Sequence, residues 1–253
     1  MASNTIIFGG SGKCARHITR MLAAEGHNVH SVIRGHGQRS DMESLESLGA
    51  KTIIQSIEES SIEDMASIIK QTKASTVLWC AGAGGGSPER TQAVDNEGAI
   101  RSMDATAQAG VKRYIIISAI DVRDRQGKPE PEWYDDGDRQ RSERVWNMIG
   151  PYMQAKFTAD RNLVTENARR GLEYTIVRPG GLTSDAGKGT IAAGKVHLSS
   201  TISREDVASV VVECMKNGGT KGLAFDCVGG DTPVRDAVAE VAKEKIDGFA
   251  GRY

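Results

Sequence analysis

Apolar residues fall in short, nearly continuous runs along this chain, and between the runs the spacing turns helical. The segments 4–9 (NTIIFG), 27–34 (HNVHSVIR), 51–56 (KTIIQS), 75–82 (STVLWCAG), 112–118 (KRYIIIS) and 172–181 (LEYTIVRPGG) are rich in Ile and Val and read as strands. Stretches near 12–25, 40–48, 61–72, 88–109 and 152–170 read as helices. Strands without polar alternation, separated by helices, indicate a parallel sheet covered on both faces. The expected fold class is therefore α/β, a doubly wound parallel sheet. Residues 202–215, 222–230 and 231–246 read helix, strand, helix. That portion is too short to fold alone and should complete one side of a single domain, 1–253. Two stretches, 123–151 and 182–201, break the rhythm and are expected as long connections, of the kind that usually carries function.

The first apolar run breaks into glycines, in TIIFGGSGKCARHI at 5–18. Gly9 and Gly12 are followed three residues later by Ala15, and a helical pattern starts at once. In a strand, glycine loop and helix of this kind, the first glycine allows the tight turn and the second admits a pyrophosphate to the backbone. The third small residue lets helix pack on strand. A turn without ligand is the plain alternative. At the end of the second strand, where an acidic residue would hold the ribose hydroxyls of NAD, the chain has Arg34, with Arg39 nearby. A guanidinium matches the 2′-phosphate of NADP, so NADP(H) is the expected cofactor. The alternative is a solvated arginine.

GGSGKCA at 9–15, CAGAGG at 80–85, YIIISAID at 114–121, YMQAK at 152–156, YTIVRPGGL at 174–182 and ISREDVA at 202–208 follow one another along most of the chain. Together they resemble the short-chain dehydrogenase/reductase superfamily. Within it they are similar to the atypical NAD(P)-binding, NmrA-like branch with its flavin- and biliverdin-reductase-like proteins. The resemblance implies a Rossmann-type sheet, with a small C-terminal portion on the substrate side. It also implies cofactor contacts from Gly9, Ser11, Gly12, Lys13, Cys14, Arg34, Ser56, Ile57, Ala81, Gly82, Ala83, Lys156, Pro179, Gly180 and Leu182. YMQAK matches the superfamily's Tyr-x-x-x-Lys motif. On a helix, positions four apart share a face, so Tyr152 and Lys156 would enter one site, the phenol as acid/base and the ammonium beside it. A surface Tyr–Lys pair is the alternative, since this spacing is common. Ser118 is the candidate third catalytic residue. Ala119 replaces a frequent second serine, and Asp121 could reach the same region.

Trp133, Tyr134, Trp146 and Met148 are apolar islands in the charged 123–151 segment. They would either close over an aromatic or polycyclic small-molecule substrate or pin the segment to the core. The implied activity is an NADPH-dependent oxidoreductase acting on a carbonyl, quinone or related compound. A non-catalytic dinucleotide sensor and a cofactor-dependent isomerase or epimerase remain open. Neither the substrate nor the oligomeric state is fixed by these motifs.

Composition works by exclusion. A formal net charge of -1 over 253 residues, with Lys and Arg spread along the chain, gives no basic patch for nucleic acid. No apolar run approaches the roughly 18 residues a membrane helix needs. Cys14, Cys80, Cys214 and Cys227 lack paired spacing, which suits a reducing, cytoplasmic setting. His27 and His30 fall on opposite strand faces with no ligand set around them, so no metal is expected.

Overall fold

The computed structural model describes residues 2–35, 39–85, 87–198 and 200–253. Its first half alternates β1 (Asn4–Phe8), α1 (Lys13–Ala24), β2 (Asn28–Ile33), α2 (Arg39–Ser47), β3 (Ala50–Ile54), α3 (Ile62–Gln71) and β4 (Thr76–Trp79). Helix α4 (Pro88–Thr91) passes through a π-helical segment, Gln92–Gly98, into α5 (Ala99–Gln108). Next come β5 (Arg113–Ile117), α6 (Asp136–Thr165), α7 (Asn167–Arg170) and β6 (Glu173–Pro179). The last quarter holds β7 (Gly181–Thr183), β8 (Thr190–Gly194), β9 (Thr201–Ser203), α8 (Arg204–Lys216), β10 (Leu223–Gly229), β11 (Thr232–Pro233) and α9 (Val234–Glu244).

Among the described residues the main sheet runs β11-β8-β10-β6-β5-β4-β1-β2-β3, and β7 pairs with β9 apart from it. All pairings from β10 through β3 are parallel, while β8 runs antiparallel to β10 and β11. The doubly wound expectation holds. Chain order reverses between β1 and β4, and such a crevice at the carboxyl ends of strands is where open α/β sheets bind ligands.

Alternate residues explain the unbroken apolar runs. Ile6 belongs to one buried cluster with Met65, Ile69, Met103 and Phe157, on the α3, α5 and α6 side. Its neighbour Ile7 belongs to a second cluster with Ile18, Leu22, Val207 and Val211, on the α1 and α8 side. Both faces of the sheet are buried, so both sets of positions must be apolar. No helix among the described residues is long and apolar enough to cross a membrane.

The two expected long connections are corrected. Most of 123–151 is helical: α6 begins at Asp136, with Asp135 and Asp138 forming a reciprocal capping box. The helix bends at Ile149 (φ -130°, ψ 33°), just before Pro151, where a proline inside a helix removes a backbone donor. The first arm exposes Val145, Met148 and Ile149, so it lacks the apolar stripe by which a helix is read. Likewise 182–201 is not a plain loop, for it contains most of β7 and all of β8.

Candidate functional site

β1 ends at Phe8 and the chain turns through Gly9 at φ +78°. A Cβ built on Gly9 would lie 2.6 Å from the Cα of Ala81, and one on Gly12 would lie 3.1 Å from the Gly9 carbonyl oxygen. The turn is closed by the Gly12 N–H donating to that same oxygen at 2.9 Å. α1 starts at once, with no side chain capping its N-terminus and no acidic residue in its first turn. Its free amides and the positive end of its dipole therefore face the crevice, which is the chemistry a pyrophosphate requires. The residues present fit a dinucleotide.

From this turn a groove of about 280 Å³ runs between the ends of β2, β3 and β4, lined by Gly9, Ser11, Gly12, Arg34, Ile57, Ala81, Gly82 and Ala83. Arg34 is exposed at its edge, with no carboxylate in ion-pair range among the described residues. Arg90 walls the groove by pairing with Glu58 at 3.0 Å while donating to the Ala83 carbonyl.

A second cavity, of about 750 Å³, continues from the first across Gly12 and Cys80–Gly84. Tyr152, Lys156 and Ser118 all line it, together with Lys13, Cys14, Leu182 and Arg204. Tyr152 and Lys156 sit just past the bend of α6, and the ammonium lies 5.8 Å from the phenol ring centre. Lys156 donates to the Ile117 carbonyl at 3.2 Å and pairs with Asp95 at 3.0 Å. Asp95 in turn accepts the Ala83 N–H at 2.8 Å. Burial draws the lysine down, but Asp95 and Tyr152 outweigh it and hold the ammonium above its ordinary range. Burial pushes the Tyr152 phenol up, and the nearby Lys156 only partly offsets this. At neutral pH the phenol is protonated.

Residues 9–218 match the NAD(P)H-binding family. The chain belongs to that family. A UPF0659 protein of Schizosaccharomyces pombe is 37% identical over 235 residues, 92% of this chain and 93% of the relative. An uncharacterised sugar epimerase of Bacillus subtilis is 32% identical over 238 residues, 93% of this chain and 98% of the relative. A solved structure, a putative NAD-dependent epimerase/dehydratase from Bacillus halodurans, superposes with a TM-score of 0.76 at 27% identity. It covers 94% of this chain and 100% of its own.

For an NAD(P)H-binding chain some expected residues lie elsewhere. Ser56 does not line the groove; Gln55 and Ile57 do. The Ser56 carbonyl instead accepts both the N–H and the hydroxyl of Ser60. Pro179 and Gly180 do not line the cavity either, and of that trio only Leu182 does. The Pro179 carbonyl takes the Ile120 N–H, and the Gly180 N–H donates to the Cys227 carbonyl, joining these strand ends. Asp121 turns away. At φ +62° it receives Arg123 at 2.9 Å, the Tyr134 hydroxyl at 3.2 Å and the Trp146 indole at 3.1 Å. Trp133 donates to the Val196 carbonyl at 3.2 Å. Those three aromatics pin the segment, whereas Met148 and Ile149 form the apolar lip of the cavity. Burial pushes the Cys14 thiol up to about 11, with Arg204 pulling the other way, so it rests as a neutral thiol.

Sequence reasoning missed Asp95, Arg90 and Arg204. Asp95 left one signal, a carboxylate falling among the apolar positions of the 88–109 helix.

Proposed function

We propose that this NAD(P)H-binding protein is an NADPH-dependent oxidoreductase that reduces a small carbonyl, quinone or related compound. The observation that carries the reading is one continuous crevice with Arg34 at one end and a protonated Tyr152 beside a fixed Lys156 at the other. Bound NADPH would supply the hydride. Gly9, Gly12 and the first turn of α1 would take the pyrophosphate, and Arg34 would take the 2′-phosphate. Tyr152 hands its proton to the substrate oxygen, and the Lys156 ammonium stabilises the phenolate left behind. Lys156 would also orient the nicotinamide ribose, as the Tyr-x-x-x-Lys resemblance implies. The lip of Met148, Ile149 and Leu182 suits a flat apolar substrate, aromatic or polycyclic. Four free thiols suit a reducing, cytoplasmic setting, and the net charge of -1 offers nucleic acid no electrostatic attraction.

A second reading is an epimerase, in which hydride leaves and returns; the name of the Bacillus subtilis relative favours it. The two differ in net redox change. With a panel of quinone and carbonyl acceptors, a reductase consumes NADPH stoichiometrically and an epimerase does not. Tyr152→Phe should lower turnover roughly 100- to 10,000-fold, the range of general acid catalysis, with the NADPH dissociation constant unchanged. Undiminished turnover in that variant would refute the role of Tyr152, and tight binding with no turnover of any acceptor would point to a sensor.

A further inference from the structure

Asp160 takes no part in the hydride or proton transfer, yet it is placed directly behind the cavity wall. It follows Tyr152 and Lys156 on one face of α6, four residues past the lysine. Its side chain is wholly buried. One carboxylate oxygen accepts the Ser118 hydroxyl at 2.5 Å, and the other has no partner among the described residues. Ser118 itself is 3% exposed and lines the cavity next to Tyr152.

A serine hydroxyl has one proton to give and two lone pairs to offer. While Asp160 is ionised, that proton is committed to the carboxylate, and Ser118 can present only lone pairs to the cavity. We propose that Asp160 is a positioning residue that accepts the hydrogen bond of the Ser118 hydroxyl and so makes Ser118 a hydrogen-bond acceptor toward the substrate. The substrate then carries a hydroxyl or N–H at Ser118, while the carbonyl oxygen to be protonated sits at Tyr152. This assignment of substrate groups rests on the reductase reading; the orientation of the hydroxyl does not.

The charged and titratable groups around Asp160 are Lys156 and Tyr152 on its own helix, Arg178 from β6 and Tyr114 from β5. Burial pushes its carboxyl up to about 6, against the pull of Ser118, Arg178 and Lys156. Below that pH the neutral acid has an O–H of its own to give to Ser118, and the serine proton is free to turn into the cavity. Ser118 thus changes from acceptor to donor as the pH falls through this range.

The test needs neither cofactor nor turnover. Infrared difference spectra of the protein alone are recorded across pH 4 to 10, from roughly two units below that value to roughly two above the highest midpoint expected. They follow the carbonyl stretch of protonated Asp160, identified by its loss in Asp160→Asn. Ser118→Ala removes the bond to the ionised form and should raise the midpoint by about one to two pH units. Ser118→Thr, which keeps the hydroxyl, should restore it. An unchanged midpoint in Ser118→Ala, or an equal rise in Ser118→Thr, would overturn the proposal. Should Asp160→Asn not fold, the shift between wild type and Ser118→Ala decides the same question. Failure of the reductase reading would show instead as absent NADPH consumption, with this titration unaffected.

Discussion

Asp95→Asn tests the buried ion pair that holds Lys156 in the cavity wall. The substitution keeps the shape, but its single oxygen can serve either the Ala83 N–H or the Lys156 ammonium, and the amide NH2 is then left facing the other donor. Lys156 is 3% exposed and Asp95 fully buried, with the Ile117 carbonyl as the lysine's remaining partner. Breaking a buried pair by removing one charge costs about 3–5 kcal/mol. A ceiling follows from titration: at pH 7 the lysine can escape by losing its proton, which for an ordinary value of about 10.4 costs about 5 kcal/mol. The two figures agree. For a domain of this size they translate into a fall in Tm of roughly 6–20 °C. The assay is urea unfolding followed by two probes, for wild type, Asp95→Asn, Lys156→Met and the double variant. The pair should show a coupling of about 2 kcal/mol or more. The sign with pH can also be checked. Lys156 is held above its ordinary value in the folded protein, so the stability it contributes is complete below that ordinary value and is lost as the pH rises through the folded one. Wild type is therefore unaffected on this account below about pH 10, whereas in Asp95→Asn the cost of releasing the lysine's proton falls by about 1.4 kcal/mol per pH unit, so the gap should narrow to about 2 kcal/mol by about pH 9. A gap under about 1 kcal/mol at pH 7, or one that does not shrink with pH, would refute the reasoning.

The cofactor end makes its own predictions. Arg34→Glu should weaken NADPH binding roughly 10- to 150-fold, the loss of a charge-assisted contact of about 1.5–3 kcal/mol, while leaving NADH almost untouched; calorimetric titration of both cofactors decides it, and an equal loss for the two would remove Arg34 from the 2′-phosphate. Gly9→Ala meets both a positive φ and a contact of 2.6 Å with the Ala81 backbone. It should cost more than about 1–2 kcal/mol of stability, and wild-type stability by urea unfolding would show that the turn is not constrained as described.

The sheet was legible because its strands are buried on both faces. Ile6 and Ile7 cannot both be apolar in a half-exposed strand, and the periodicity says so without a partner sequence. The glycine turn was legible for a similar reason: Gly9 and Gly12 mark where Cβ atoms would collide. The first arm of α6 was not, because Val145, Met148 and Ile149 face outward and the start signal is an Asp–Asp capping box inside a run of charges. Ser56 and Pro179–Gly180 fall outside the lining of the two cavities for one reason. Both stretches were located correctly at strand ends, but which residue faces the crevice depends on backbone hydrogen bonds made to Ser60, Ile120 and Cys227, and none of these is visible in local pattern. Pairing of Lys156 with Asp95 depends on the π segment of another helix, and a π turn has no simple residue signature.

These placements divide the charges near the strand ends into two kinds. Lys156 with Asp95, Arg178 with Asp226 and Arg123 with Asp121 are buried pairs at 2.9–3.0 Å. Such pairs add little net stability against apolar packing, so their value here is geometric. They fix Lys156 in the cavity wall, and through Asp121 they hold Trp146 and the first arm of α6. Arg34, Lys13 and Arg204 form the second kind: they line the crevice with no carboxylate in ion-pair range among the described residues. Arg204 is itself steadied by the Leu182 carbonyl at 3.3 Å and the Ser184 hydroxyl at 3.1 Å. Cations left open along a groove, beside charges locked in its wall, would admit a polyanionic dinucleotide without disturbing Tyr152 next to it. An incoming phosphate finds its partners already free, and the pairing that holds Lys156 beside Tyr152 does not have to break to let it in.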